Sequence, residues 1–336
     1  MVKIIVDCFG GDHSPEANIE GAINALNKHE DLFIVFSGDE DKINACLKNY
    51  KYDPSRIEIL DAKQVIEVSE KPTEAIRTKR ESSLVKGLKM LREDESCDAL
   101  ISNGSSGAVV AGAMLRIGRI KGVFRPAFCP ILPTMNNGVV AVCDSGANVD
   151  TKSDMLFQYG IMASTYIKKF YNIENPKVAL LNVGVEEDKG DDTHKEAYQL
   201  LKNCKNINFV GNMESRDLLS GKYDVVVCDG FSGNVLIKTT EGTAKELLKR
   251  LKKDMVSSFK NKLGALLLKK TIMKEVEFMN YQNYGGSVII GLDKIVIKAH
   301  GSSKAKAIEI CVEQAYKLKE TNINKEIELE LSKINN

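Results

Sequence analysis

The chain has 336 residues, 43% of them hydrophobic, which is enough to bury a substantial core in one large or two ordinary domains. Its 47 Lys and Arg residues are balanced by 46 Asp and Glu residues, so nucleic acid is not an expected partner. Eight cysteines without a Cys-x-x-Cys pair favour reduced thiols in the cytosol. No apolar run reaches the roughly 18 residues that span a bilayer, and we expect no signal peptide, so the chain is predicted to be cytoplasmic.

The first third of the chain alternates short apolar runs with helical patterns. Because each run is short and rich in β-branched residues, strands are predicted at 2–6, 33–36 and 57–60. The polar loop 7–13 follows the first strand and precedes a helix. Lys71 and Pro72 have the form of a helix start, and one long helix is predicted from there to about residue 92.

Residues 98–112 are predicted to form a strand, a loop and a helix. The N-terminus of a helix presents free N–H groups and a partial positive charge, so this loop can hold an anion, with phosphate the obvious candidate. An ordinary capped turn fits the same spacing equally well. The residues of the loop are Ser102, Asn103, Gly104, Ser105, Ser106 and Gly107.

The rest of the chain continues the alternation of strands and helices. Strands at 126–134 and 139–144 are joined by Asn136-Asn137-Gly138, which is typical of a hairpin turn, so the sheet is expected to be mixed. A final helix is predicted to end near residue 319. Further strands are predicted at 178–183, 207–211, 225–228, 288–291 and 295–298. Polar loops that contain glycine follow six of the strands, and ligands of open α/β sheets bind where such loops converge.

Positive charge is concentrated in residues 245–274, which contain ten basic and two acidic residues. Apolar residues recur there every three or four positions, so the segment is predicted to be an amphipathic helix, or two helices broken near Gly264. Such an element is typical of a membrane surface or a partner helix. A helix that covers the core or forms a dimer interface fits the same pattern.

The motifs of several common chemistries are missing. The four histidines lack metal-type spacing, and neither a Gly-x-Ser-x-Gly elbow nor a phosphate-binding P-loop sequence occurs. We therefore expect no metal and no catalytic triad. What remains is a set of loops with charged residues near predicted helix starts, an arrangement that suits an anionic substrate. These residues include Asp7, Asp12, His13, Lys152, Lys195, Asp229 and His300.

Nine short motifs occur in one order from residue 5 to residue 303. They are Ile-Val-Asp-x-x-Gly-Gly-Asp-His-x-Pro-Glu at 5–16, Glu-Lys-Pro-x-Glu-Ala at 70–75, Ser-Ser-Leu at 82–84, Gly-Arg-Ile at 118–120, Arg-Pro-Ala at 125–127, Gly-Ala-Asn-Val-Asp at 146–150, Val-Cys-Asp-Gly-Phe-x-Gly-Asn at 227–234, Tyr-Gly-Gly at 284–286 and Lys-x-His-Gly-Ser-Ser at 298–303. This collinear series resembles the bacterial phosphate acyltransferases of the PlsX family.

The resemblance implies a reaction, a fold and a set of partners. The reaction is transfer of an acyl group from acyl carrier protein to inorganic phosphate, giving acyl phosphate for bacterial phospholipid synthesis without a cofactor. The fold is a three-layer α/β/α unit with a mostly parallel mixed sheet, like that of the isocitrate and isopropylmalate dehydrogenases. The implied assembly is a homodimer at an anionic membrane surface, next to the membrane glycerol-phosphate acyltransferase. Phosphate is itself the nucleophile, so no enzyme nucleophile is needed.

The loops that match the family also imply which residues form the active site. His13, Lys152 and His300 are predicted to share one active site, with Asp7 and Asp229 orienting neighbouring groups. A histidine there has two possible roles, protonating the departing thiolate or binding an anion. The predicted phosphate- and substrate-binding residues are Asp7, Gly10, Gly11, Asp12, Ser102, Asn103, Gly104, Ser105, Ser106, Gly107, Gly230, Gly233, Asn234, Gly301 and Ser302.

The chain departs from the family at one loop position. Ser105 stands where the family typically has Asn, so a side-chain amide contact to substrate cannot be carried over.

Residues 1–320 are predicted to form one unit, from which residues 244–280 protrude as helix. Residues 321–336 are predicted to form a peripheral tail. A dehydrogenase on the same fold would need a cluster of acidic metal ligands, which the sequence does not show convincingly. A noncatalytic adaptor would leave the phosphate-type loops unexplained.

Overall fold

The computed structural model describes residues 1–278 and 281–334. Strands and helices alternate along most of the chain. The strands are β1 (Val2–Asp7), β2 (Leu32–Gly38), β3 (Ile57–Asp61), β4 (Cys97–Ser102), β5 (Ala127–Cys129), β6 (Ile131–Pro133), β7 (Val139–Cys143), β8 (Lys177–Leu181), β9 (Asn208–Met213), β10 (Val225–Val227), β11 (Ser287–Ile290) and β12 (Ile295–Lys298). The α-helices are α1 (Glu16–Leu26), α2 (Glu40–Leu47), α3 (Pro72–Thr78), α4 (Ser83–Glu93), α5 (Ser106–Arg116), α6 (Ser153–Tyr171), α7 (Asp192–Asn203), α8 (Gly230–Met255), α9 (Phe259–Phe278), α10 (Ala305–Glu320) and α11 (Ile323–Ser332).

The strands form two mixed sheets rather than the single sheet expected from the sequence. The first has the order β3-β2-β1-β4-β12-β11-β5, and the second has the order β6-β7-β10-β8-β9. All neighbours are parallel except that β11 is antiparallel to β12 and β5, and β6 is antiparallel to β7. The carboxyl ends of β1, β4 and β12 therefore lie side by side.

Helices cover both faces of the first sheet. Side chains alternate along a strand, and in β1 Ile4 and Val6 belong to one hydrophobic cluster while Ile5 belongs to another. The first cluster includes residues of α1 and α10, and the second includes residues of α4 and α5. This burial on both faces explains why the strands are apolar throughout.

The second sheet shares its core with the first through α6. Tyr159 and Tyr166 of this helix are fully buried in the cluster that also contains β1 and β10 residues. Gln314 of α10 donates a hydrogen bond of 2.9 Å to the Tyr166 hydroxyl. Core packing therefore continues from one sheet to the other.

The helix predicted from 71 to 92 is two helices, α3 and α4. The chain leaves the helical conformation at Lys79, and Ser82 begins the next helix because its side chain accepts a hydrogen bond from the Val85 N–H at 3.4 Å. Gln64 and Ser82 form an isolated β-bridge at this break. The prediction of one helix is wrong because the cap interrupts an otherwise helical pattern.

The predicted hairpin is confirmed for β6 and β7, and Asn137 in its turn has a φ of 63°. The strand predicted at 126–134 is divided, however. Its first part, β5, pairs with β11 in the first sheet, while β6 pairs with β7 in the second. The chain passes between the sheets at Pro130, which cannot donate a ladder hydrogen bond.

The basic segment was predicted to be one helix or two helices broken near Gly264, and it forms two. The break falls at 256–258 rather than near Gly264. No residue of α9 is buried, which agrees with a protruding segment, and residues 279–280 of the predicted protrusion lie outside the described residues. Within the described ranges, no helix combines the length and apolarity needed to cross a bilayer.

The prediction of a peripheral tail is wrong for residues 323–332. They form α11, whose Ile323, Ile327 and Leu331 are buried in the main hydrophobic cluster. Glu326 forms an ion pair of 2.9 Å with Lys169 of α6. Spacing by four residues turns these apolar side chains toward the core, while residues 335–336 lie outside the described residues.

Candidate active site

A cavity of about 150 Å³ lies at the carboxyl ends of the central strands, near the first turns of α5 and α10 and beside Asn234 to Glu241 of α8. One part of its wall is apolar and includes Phe128, Ile131, Ile237 and Ala307. The polar part of its wall includes Ser106, Asn234, Lys238, Lys298, His300 and Ser303. Glu241 adds one carboxylate to the two lysines, so the cavity combines a region of net positive charge with an apolar one, at the edge of the sheet where the sequence predicted a site.

The carboxyl group of Asp7 is buried beneath this edge. It accepts hydrogen bonds from the Ser102 hydroxyl at 2.6 Å and from the Phe9 N–H at 3.3 Å. Burial raises the pKa of Asp7 to about 6, although its hydrogen bonds and the charge of Lys298 oppose the increase. Ser102 also accepts a bond of 3.1 Å from the Gly104 N–H. The ends of β1 and β4 are thus joined by an internal polar network.

The loops after β1 and β4 also pack closely on each other. Asn103 and Asn18 exchange two side-chain hydrogen bonds, of 3.0 and 3.1 Å. A Cβ at Gly11 would lie 2.0 Å from the Asn103 amide nitrogen, and one at Gly10 would lie 3.0 Å from the Gly104 Cα. Gly10 has a φ of 123°, which favours glycine. Only glycine allows this approach of the two loops.

The loop 102–107, which was predicted to bind an anion, is buried in its first half and exposed in its second half. Ser102, Asn103 and Gly104 are buried, and the first two bond to protein groups, whereas Ser105 is half-buried. Ser106 and Gly107 are exposed, and Ser106 lines the cavity. The exposed residues at this helix start therefore begin at Ser106 rather than at Ser102. That this loop binds phosphate stays a prediction.

The loop after β12 places His300 at the cavity wall. Its Nδ1 lies 2.8 Å from the Ser302 hydroxyl and accepts a bond of 3.2 Å from the Ser302 N–H. Desolvation and the charges of Lys298 and Lys238 lower the pKa of His300. The Asp12 N–H donates to the Gly301 carbonyl at 2.9 Å, which fixes this loop to the loop after β1.

On the opposite side, Asp144 holds the loop after β7. Its buried carboxylate accepts hydrogen bonds from the N–H groups of Phe128, Gly146, Ala147 and Asn148, at 2.6 to 3.2 Å. Burial raises the pKa of Asp144, and these bonds oppose the increase. The side chain thus organises backbone at the cavity edge.

The predicted residues of α8 contact this loop. A Cβ at Gly233 would lie 1.9 Å from the Asp144 carbonyl oxygen, and one at Gly230 would lie 2.5 Å from the Asn148 carbonyl oxygen. Asn234 lines the cavity and donates a bond of 3.2 Å to the Ser145 carbonyl. The two glycines therefore allow close packing, while Asn234 is the member of this group that reaches the cavity.

The other predicted catalytic residues do not line the cavity that contains His300. His13 lines a neighbouring surface pocket with Asp12 and Lys304. Lys152 is exposed at the start of α6, and Asp229 caps α8 by accepting a bond of 2.8 Å from the Ser232 N–H. The grouping of His13, Lys152 and His300 around one cavity is therefore not observed, and their catalytic roles stay predictions.

Sequence reasoning missed Lys238, Lys298 and Asp144 as site residues. Lys298 ends an apolar strand and begins the quoted motif at 298–303, so a lysine after Ile-Val-Ile was an available signal. Lys238 lies in a helix and had no local signal. Asp144 follows an apolar strand, a position from which a carboxylate can accept several backbone N–H bonds.

The described residues provide no metal centre. Among residues 1–278 and 281–334, no group of three or more His, Cys, Asp or Glu side chains is placed to hold a metal ion. All eight cysteines are free, six of them buried, as the sequence predicted. Burial raises the pKa of Cys311 at the cavity to about 12, so its thiol is protonated at neutral pH.

Solved structures with the same fold are acyltransferases and a dehydrogenase-like protein. A phosphotransacetylase from Staphylococcus aureus is 16% identical, with a TM-score of 0.58 and coverage of 97% of this chain and 94% of that one. A putative 4-hydroxythreonine-4-phosphate dehydrogenase from Salmonella typhimurium is 11% identical, with a TM-score of 0.51 and coverage of 94% and 99%. These likenesses confirm the predicted three-layer α/β/α fold with mostly parallel mixed sheets.

Comparisons of the sequence identify the family, which the fold alone does not. The family model described as "Fatty acid synthesis protein" matches residues 2–326. A phosphate acyltransferase from Clostridium perfringens is 44% identical over 332 residues, which cover 99% of this chain and 97% of the relative. One from Clostridium tetani is 44% identical over 333 residues, 99% of each chain. The chain therefore belongs to the phosphate acyltransferase family.

Proposed function

We propose that this enzyme transfers the acyl group of acyl carrier protein to inorganic phosphate, releasing acyl phosphate and the free carrier thiol. A phosphate oxygen attacks the thioester carbonyl carbon, the carbon–sulfur bond breaks, and the proton of hydrogen phosphate passes to the departing thiolate. No protein nucleophile takes part. The observation that carries the proposal is the cavity in which Lys238, Lys298 and His300 meet an apolar wall.

The proposed site follows from this geometry. Phosphate lies against the cationic wall and the N-terminal turn of α5, where helix dipoles favour an anion. His300 reaches the cavity, where its neutral ring either relays the proton of hydrogen phosphate to the thiolate or contacts phosphate, while Asp7 and Asp144 hold the loops in place. His13, Lys152 and Asp229 belong to the outer part of the site, where the carrier protein approaches.

The product is a lipid-like acyl phosphate, and its use in phospholipid synthesis supports a location at the membrane. We propose that the enzyme is a cytoplasmic homodimer that binds an anionic membrane surface through α8 and α9 and supplies the membrane glycerol-phosphate acyltransferase. Exposed Phe259, Leu263 and Leu267 on α9, among many lysines, support this location. In a homodimer two such surfaces act together.

The proposal is tested with purified protein, acyl carrier protein charged with a fatty acyl group, and phosphate. Hydroxylamine traps acyl phosphate, and free carrier thiol is measured in parallel. We expect both products in equal amounts, and neither without phosphate. Carrier binding without product would favour an adaptor, and an absorbance change with a nicotinamide cofactor and a hydroxy acid would favour a dehydrogenase. Equal turnover of an acyl-coenzyme A would contradict the assignment of the carrier protein as acyl donor.

A further inference from the structure

Lys298 is a buried ammonium group at the carboxyl end of β12. The residue is 8% exposed, pairs in register with Ser102 of β4, and lines the cavity. Its Nζ donates to the Ala299 carbonyl, and among the described residues no carboxylate lies within ion-pair distance of it. An ammonium group has three donors, and a buried charge normally has a charged partner. Lys298 thus has donor capacity left for an anion in the cavity.

Lys298 stays mostly charged near neutral pH although its surroundings lower its pKa. Burial and, to a smaller extent, the charge of Lys238 lower the pKa to about 8, while Cys311 and Asp7 oppose the decrease. Most of the ammonium is therefore protonated at pH 7. The titratable groups that face it across the cavity or from the strands beside it are Asp7, Lys238, Glu241, His300 and Cys311.

Two helix starts contribute positive potential to the same space. Ser106 at the first position of α5 lines the cavity, and so do Ser303 and Ala307 around the start of α10. These helices have 11 and 16 residues, long enough for a helix dipole to act at the N-terminus. The buried cation and the helix starts therefore favour the same ligand, a small dianion.

We propose that Lys298 binds the attacking phosphate directly. The proposal rests on the proposed function and adds the residue that recognises the nucleophile. The ammonium holds two negatively charged oxygens of hydrogen phosphate, which orients the third for attack on the thioester carbonyl at the apolar wall. A neutral side chain at this position leaves the acyl donor's binding unchanged and weakens phosphate binding.

The test is Lys298→Met, with Lys294→Met as a matched control. Lys294 precedes the same strand at its other end and also donates to a backbone carbonyl, that of Cys97, at 2.9 Å. Replacing a buried, poorly paired charge by a linear apolar side chain is expected to leave stability unchanged or raise it. We expect the KM for phosphate to rise about ten- to a hundredfold in Lys298→Met, as on loss of a charge-assisted hydrogen bond. The KM for the acyl donor changes by less than about threefold, and Lys294→Met behaves like the unaltered protein.

Binding of inorganic phosphate alone is measured by its effect on the thermal midpoint. The midpoint of the unaltered protein and of Lys294→Met rises with phosphate concentration, whereas Lys298→Met needs about ten- to a hundredfold more phosphate for the same rise. An equal phosphate response in Lys298→Met, or a lower turnover with an unchanged KM for phosphate, overturns the proposal. If the unaltered protein binds phosphate but forms no acyl phosphate, the proposed function fails while the role of Lys298 in phosphate binding stands.

A measurement on the unaltered protein tests the same proposal and does not depend on whether Lys298→Met folds. With lysine labelled at Cε, the resonance that titrates near pH 8 is the expected signal of Lys298. Added phosphate shifts this resonance and raises its pKa, because a bound dianion stabilises the ammonium form. A lysine spectrum that phosphate leaves unchanged contradicts direct binding.

Discussion

The buried carboxyl group of Asp7 lowers the free energy of unfolding at neutral pH. Its folded pKa of about 6 exceeds the ordinary value of 3.8 because the carboxyl group is buried. Between these pH values the folded state holds a proton that the unfolded state has lost. The free energy of unfolding therefore falls as pH rises from about 4 to 6, by about 3 kcal/mol, and stays lower above pH 6.

Asp7→Asn is expected to separate stability from activity. The amide carries no charge, so the variant should have a higher thermal midpoint than the unaltered protein at pH 7 and nearly the same midpoint at pH 4. Acyl-phosphate formation should fall, because the negative charge near Lys298 is lost. Thermal unfolding at the two pH values measures the first effect. A midpoint difference that is the same at both pH values would show that the charge of Asp7 is not its source.

His300→Asn is expected to lower turnover far more than stability. His300 is exposed at the cavity, and its lowered pKa keeps the ring neutral at pH 7. A surface substitution usually changes stability by less than about 0.5 kcal/mol, whereas loss of a proton relay or phosphate contact costs about tenfold or more in rate. Turnover and thermal unfolding are measured on the same preparation. Normal activity per folded molecule together with a much lower midpoint would make His300 a structural residue.

At the scale of elements, local patterns predicted strands better than helix ends. Each predicted strand appears in the structure because runs such as 225–227 are apolar on both faces. The break before Ser82 was missed because it depends on a cap and on a bridge to Gln64, which is distant in sequence. The division of 126–134 at Pro130 was missed because partner strands decide it.

Substitutions in α11 test whether this C-terminal helix packs on the core. Ile327 is buried against the core and Leu329 is 50% exposed on the same helix. Ile327→Ala removes buried apolar volume and should lower the free energy of unfolding by about 2–5 kcal/mol. The matched variant Leu329→Ala should change it by less than about 0.5 kcal/mol. Denaturant unfolding measures both, and equal small effects would mean that α11 does not pack on the core in solution.

At the scale of the whole molecule, charge is distributed unevenly. Residues 245–274 carry a formal excess of eight positive charges, so the remainder of the chain has a net charge of −7 although the total is +1. Leu266, Leu267 and Leu268 are all more than half exposed beside these charges. An anionic bilayer surface would attract the lysines and bury the leucines.

Leu267→Glu is expected to release the protein from anionic vesicles without loss of acyl-phosphate formation in solution. The unaltered protein should co-sediment with anionic but not zwitterionic vesicles, and less so as salt rises, because salt screens each contribution of about 1 kcal/mol. Thr271→Glu adds the same charge at an exposed polar position and should reduce binding less. Joint loss of dimer and activity in Leu267→Glu would make the segment an interface or core element instead.

The edge of the sheet at which the cavity lies was predictable from sequence, but most of the charged groups that line the cavity were not. Strand ends and glycine-containing loops indicated the edge of the sheet at which the cavity is found, because parallel strands bring such loops together. The burial of Lys298 follows from the position of β12 between β4 and β11, which no local pattern reveals. The separation of His13 from His300 likewise depends on which side of the loops each ring occupies.

The order of the first sheet also affects how the chain can fold during synthesis. β12 occupies a central position between β4 and β11, yet it begins at residue 295. When residue 295 is reached, β1 to β11 have been synthesised but β4 still lacks its neighbour β12, so one edge of β4 stays unpaired until then. α11 closes the core even later. The first sheet can therefore be completed only when almost the whole chain has been synthesised, and until then an apolar strand edge is open to aggregation.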